Sequence, residues 1–97
     1  MLPVVSHPEA DAELEAAAQW YEQRQPKLGE TFLQDFEATL RRVRQNPERW
    51  RRIQGQNRKL NFSRFPYAIV FSAERKIIFI KAVMHLHRRP LYWKHRQ

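Results

Sequence analysis

The apolar residues change their spacing once along the chain, at Asn46-Pro47, and that change limits the fold more than any other feature. Before it they recur at three- and four-residue intervals, which lines one face of a helix. Ala10, Leu14, Ala17, Ala18 and Tyr21 make one such face, and Phe32, Leu33, Phe36, Leu40 and Val43 make another. Ser6-His7-Pro8-Glu9 reads as a capping box with Ser6 at the N-cap, which predicts a helix from there to about Arg24. Gln25-Pro26-Lys27-Leu28-Gly29 breaks the pattern, and a second helix runs from about Glu30 until Asn46-Pro47 stops it. Its early acids Glu30 and Asp35 and late bases Arg41, Arg42 and Arg44 suit the helix dipole. The small residues of the first helix predict close contact with the second.

The remaining segments read as strands. Leu2 to Val5 is short and partly β-branched, and Arg58 to Phe62 is a second candidate. Tyr67 to Ser72 and Lys76 to Met84 form a hairpin around Ala73-Glu74-Arg75. Ile77, Ile78, Phe79 and Ile80 are apolar in succession, which predicts a central strand covered on both faces. The expected fold is α+β in the order β-α-α-β-β-β, one domain over residues 1–97. A helical hairpin packs on one face of a small, mainly antiparallel sheet.

Composition narrows the functional classes. There is no cysteine, hence no disulfide framework or thiolate metal site. Met1 to His7 lacks the basic and apolar regions of a signal peptide, and Ile77 to Met84, interrupted by Lys81, is too short to cross a bilayer. A soluble cytoplasmic protein with no membrane partner and no cofactor is expected. Residues 1–40 carry eight acids and two bases, whereas residues 41–97 carry two acids and sixteen bases. So lopsided a cationic half attracts a polyanion or an acidic protein.

Three groups could carry chemistry. The first is the basic run Arg49, Arg51, Arg52, Arg58 and Lys59, able to grip phosphates or carboxylates. The second is the stretch from Asn61 to Phe71, where Phe62, Phe65 and Tyr67 suit a core and Arg64 stands in a turn open to an anion. The third is the closing segment with His85, His87, Arg88, Arg89, Tyr92 and Trp93. His or Tyr can shuttle a proton while Arg stabilises charge developing on a phosphate. The alternative is that His85 ends a strand and Trp93 packs against the sheet or the helices. Zinc is a poor fit, because the histidines have no third ligand and sit among positive charges.

The ordered set resembles the RelE/ParE superfamily of toxins, also known as plasmid-stabilisation proteins, over nearly the whole length. Trp20-Tyr21-Glu22, Phe65-Pro66-Tyr67-Ala68-Ile69-Val70-Phe71 and Ile80-Lys81-Ala82-Val83-Met84-His85 followed by Arg88, Pro90 and Trp93 carry the likeness. The resemblance implies the toxin of a type II toxin–antitoxin pair, cytoplasmic and in a hetero-oligomer with a cognate acidic antitoxin that neutralises it. RelE-like members cut mRNA on the ribosome with a basic and aromatic set. Lys59 and Tyr92 stand where a Lys and the Tyr of that set are expected, with His85 and Arg88 beside them. Asn61, Ala68 and Leu86 replace a second Lys and two Arg residues. ParE-like members lack the set and are associated with inhibition of DNA gyrase. The Phe-Pro-Tyr stretch and the His…Arg…Pro…Trp ending favour the ParE-like branch, with no catalytic residues. Lys59, Arg64, Arg88, Arg89, Tyr92 and Trp93 are then the expected target-binding residues, and growth inhibition the expected effect. A ribosome-dependent endoribonuclease and a non-toxic nucleic-acid-binding module are the alternatives.

Overall fold

The computed structural model describes all 97 residues, Met1–Gln97. Strand β1 (Val4–Ser6) leads into helices α1 (Pro8–Arg24) and α2 (Leu28–Gln45) and a short 3₁₀ turn (Pro47–Arg49). Strands β2 (Arg52–Gln54), β3 (Asn57–Asn61), β4 (Tyr67–Glu74) and β5 (Ile77–His85) follow. The five strands lie in the order β1-β5-β4-β3-β2, with β1 parallel to β5 and the other pairs antiparallel. The expected α+β layering holds, with one strand more than expected. That strand, β2, has three residues, lies at the sheet edge and shifts register between Arg52 and Gln54. Such a strand carries too little alternation to announce itself.

The helix ends differ from expectation in instructive ways. Ser6 is not the N-cap of α1, because β1 runs through it and pairs it with Ile80. His7 takes the cap instead, and its Nδ1 accepts a 3.0 Å hydrogen bond from the Glu9 N–H. Helix α2 starts at Leu28 rather than Glu30. The Glu22 carboxylate of α1 accepts from the N–H groups of Lys27 (2.9 Å) and Gly29 (3.0 Å), satisfying orphan donors of the new helix. At this crossing the helices touch as predicted: a Cβ on Gly29 would stand 2.5 Å from the Ala18 carbonyl oxygen.

The helical hairpin covers one face of the sheet. Ala10 and Ala17 of α1 and Phe32, Phe36 and Val43 of α2 meet Leu60, Ile69, Phe71, Ile78, Ile80 and Val83. Leu33 is the exception, 40% exposed, because it lies about 100° around the helix from the ridge Phe32–Phe36–Thr39–Val43. On the opposite face the segment after β5, residues 86–97, folds back so that Trp93 packs on Ala68, Val70, Ala82 and Met84. This cover is partial. It closes over the end of β5 toward Met84, whereas Ile77 is 38% exposed and Phe79 half-buried, contrary to the coverage expected there. Lys81 is the unpaired extra residue of a bulge, between the pairs Val70–Ala82 and Phe71–Ile80.

The β4–β5 turn falls one residue later than expected, at Arg75-Lys76, with φ of 54° and 61°. A two-residue hairpin with positive φ at both positions favours Asn-Gly, because a Cβ is strained there. The double substitution Arg75→Asn, Lys76→Gly is therefore expected to raise stability by about 1 kcal/mol. Chemical denaturation would show it as a higher midpoint at unchanged slope.

Candidate functional site

Two residues that sequence reasoning missed organise the region where the expected functional groups gather. The first is Asp35 of α2, only 5% exposed. Its carboxylate accepts from three consecutive N–H groups, Ser63 (3.3 Å), Arg64 (2.9 Å) and Phe65 (3.1 Å). The β3–β4 loop is thereby tied to the helix, with the Arg64 side chain outside in solvent. An acid in the first half of a helix looks like dipole compensation, and only the fold shows it reaching another element.

The second is Glu13 of α1. Beyond Ile80 the outer edge of β5 has no strand beside it, since β1 pairs only with Ile78, Phe79 and Ile80. Glu13 fills the gap. Its Oε1 accepts from the Val83 N–H (3.1 Å) and Arg96 Nη1 (2.8 Å), and its Oε2 from the Tyr92 hydroxyl (2.6 Å) and Arg96 Nη2 (3.2 Å). Arg96 Nη1 also donates to the Lys81 carbonyl at 3.2 Å. One carboxylate thus caps a sheet edge and clamps the closing segment to α1. Arg96 is itself buried, and its Nε faces Glu9 Oε2 at 3.6 Å.

Tyr92 is held on every side. The Arg88 guanidinium lies 4.0 Å from its ring centre and that of Arg96 5.1 Å. Burial, then the hydrogen bond to Glu13 and its charge, push the phenol above the ordinary tyrosine range, outweighing Arg96 and Arg88. The sign of the linkage follows. An unfolded chain ionises this phenol near about pH 10, while the folded chain keeps the proton. Its contribution is complete below that pH and is lost as pH rises toward the folded value. Above about pH 10 the melting temperature is expected to fall less steeply for Tyr92→Phe than for the unmodified protein.

Of the four residues expected for a nuclease, His85 and Arg88 line one groove and Arg88 lies on the Tyr92 ring, while Lys59 stands apart from them. Lys59 pairs with Val70 and so shares the face of the sheet that carries Trp93. His85 pairs with Tyr67, whose ring is among Tyr21, Phe32 and Phe62, on the helix-covered side. The His85 Nδ1 accepts from the His87 N–H at 3.1 Å, which fixes the ring against its own turn. Arg58, from the basic run, donates to the carbonyls of Glu48 (3.0 Å) and Trp50 (2.8 Å) and braces the linker. Trp93, 1% exposed, is core. What does come together is one end of the sheet. The Leu86 N–H donates to the Pro66 carbonyl at 2.9 Å, which joins the loop bearing Arg64 to the turn bearing His87, Arg88 and Arg89. All four of those side chains are exposed.

Beside this end lies a groove of about 370 Å³ between α1 and the edge of β5 that Glu13 caps. Ala16, Trp20 and Tyr21 form one wall, Tyr67 and Val83 the other, with Glu13, His85 and Arg88 at the margins. Trp20 is half exposed, and Arg24 covers its ring at 3.9 Å.

Residues 4–90 match the family model described as the ParE toxin of type II toxin–antitoxin systems, parDE. The chain belongs to the ParE toxin family. No curated protein matches its sequence. Among solved structures it is similar to a chain of the chromosomal ParDE TA system from P. aeruginosa. The two share 20% identity over 90% of this chain and 98% of that one, with a TM-score of 0.78. At that identity the likeness concerns the fold. The helical hairpin on a sheet and the basic, aromatic closing segment read from the sequence thus coexist with a carboxylate clamp on that segment.

Proposed function

We propose that this ParE family member is the growth-inhibiting toxin of a type II pair, held inactive by an acidic antitoxin, and that it acts on DNA gyrase without cutting RNA. One observation carries the preference: Lys59 and His85 lie on opposite faces of the sheet, and the Tyr92 hydroxyl is committed to Glu13. Proton transfer to or from a phosphate ester needs its acid and base within reach of the same atoms. A phenol clamped between a carboxylate and two guanidinium groups is a structural group. The cationic end with Arg64, Arg88 and Arg89, and Lys59 on the adjoining face, supports contact with the target. Tyr92 and Trp93 act by seating the segment that bears them. The apolar groove between α1 and the Glu13-capped edge of β5 suits a helix of the antitoxin. An acidic, disordered antitoxin segment orders on binding, steered by the basic half of the toxin.

Inducible expression tests this, with plasmid topology and mRNA 5′ ends followed in the same culture. The expected result is arrested growth with relaxed plasmid and intact mRNA, reversed by co-expressing a short acidic protein encoded beside the toxin gene. Codon-spaced mRNA cleavage abolished by Tyr92→Phe would favour the nuclease, and harmless expression would favour a nucleic-acid-binding module.

A further inference from the structure

The groove and the closing segment share their parts. Glu13 stands at the groove margin, and the same carboxylate holds Tyr92 and Arg96. Arg88 lines the same groove, and its guanidinium lies on the Tyr92 ring whose hydroxyl Glu13 holds. If residues 92–96 left their seat, Glu13 would lose three of its four hydrogen bonds and Arg88 its support. The groove would then keep its apolar walls and lose the fixed placing of its two charged groups.

The charges say what the groove accepts. Glu13 is neutralised by Arg96, so it does not repel an incoming carboxylate, and it is too fully engaged to attract a cation. Arg88 and, over Trp20, Arg24 are the exposed cations along this path. The walls Ala16, Trp20, Tyr21 and Val83 are apolar. An extended acidic segment with aliphatic side chains fits both properties.

We propose that the groove is a composite surface which binds such an acidic partner segment only while the closing segment is docked, so that partner binding and docking reinforce each other through Glu13 and Arg88. The idea rests on the antitoxin reading and adds a coupling to it. Coupling of this kind is reciprocal: whatever factor the docked segment contributes to partner affinity, the partner returns as stability of docking. A partner bound there would keep Arg88 and Arg89 fixed on the folded surface.

The test uses NMR on the full chain, with a short synthetic peptide of alternating leucine and glutamate as the probe and a leucine–lysine peptide as the counterpart. The acidic peptide is expected to shift the Trp20 indole and Arg88 resonances and to slow amide exchange from Trp93 to Arg96 by about fivefold or more. Glu13→Gln is expected to speed that exchange and weaken the peptide by a matching factor. Tyr92→Phe, which removes one hydrogen bond and keeps the ring, is expected to do the same to a smaller degree and serves if Glu13→Gln unfolds. Three outcomes would overturn the proposal: peptide bound in the groove with exchange unchanged, a loosened segment with affinity unchanged, or preference for the lysine peptide. In the first two the antitoxin reading survives without the coupling. No shift with either peptide removes the acidic-segment fit itself, and dilution-dependent shifts without peptide would assign the groove to a second copy of the chain.

Discussion

Replacing Trp93 with alanine is expected to destabilise the protein by about 3–5 kcal/mol, the range for emptying a large aromatic site in a core. The ring is 1% exposed and is the centre of the smaller apolar cluster, over Ala68, Val70, Ala82 and Met84. Ala68, Val70 and Ala82 are too short to fill the space, and Met84 can make up only part of an indole's volume. The loss has a second consequence, because the sheet face beneath would meet water once the segment lifts. Thermal denaturation should show a strong fall in midpoint, and limited trypsin digestion should cut after Arg88 before the rest of the chain, the Arg89–Pro90 bond being resistant. Trp93→Phe keeps much of the ring and is expected to lose less than half as much. Equal losses for the two variants would mean that the site does not depend on filling volume.

Asp35→Ala is expected to cost about 3 kcal/mol or more. Hydrogen bonds to a charged acceptor contribute about 1.5–3 kcal/mol each, and three N–H groups lose theirs together, with water recovering part of the loss. The alternative of a helix-dipole role predicts only about 0.3–1 kcal/mol, because Asp35 stands well inside α2. Denaturant titration separates the two sizes easily. Asp35→Asn, which keeps one acceptor oxygen, should fall between. The loop from Ser63 to Phe65 would be freed, and amide exchange there should rise more than in α1. A uniform rise across the protein would show instead that the loop has no separate hold.

The sequence made the helical hairpin legible because both helices bury an amphipathic ridge, and because small residues at Ala17 and Ala18 announce a close neighbour. Leu33 misled because period counting gives a stripe about two residues wide, while the packed ridge is narrower. The strands β4 and β5 were legible as apolar runs. Edge strand β2 was not, being three residues with a bulge. The turn at Arg75-Lys76 carries none of the residues that its positive φ values favour, so its position could not be read.

Site residues follow the same logic. Arg64, Arg88 and Arg89 are surface charges, and excess charge in one half of a chain is visible in the sequence. Glu13 and Asp35 look like ordinary helical acids, because their partners lie 28 to 83 residues away. Arg96 resembles one more solvated base and is buried. A long-range hydrogen bond leaves no periodic trace. The signal that could have flagged Glu13 is its place beside the buried ridge of α1, where a carboxylate at a covered margin calls for partners.

In the proposed function, the folded surface with Arg64, Arg88 and Arg89 inhibits gyrase as a binding surface, with no RNA chemistry. The most direct measurement is supercoiling of relaxed plasmid by purified gyrase, titrated with the purified chain and with Arg88→Glu, Arg89→Glu, alongside ribosomes carrying mRNA. Inhibition by the unmodified chain, weakened about tenfold or more by the double charge reversal, with mRNA uncut, is the predicted result. Unimpaired supercoiling together with cleaved mRNA would contradict it.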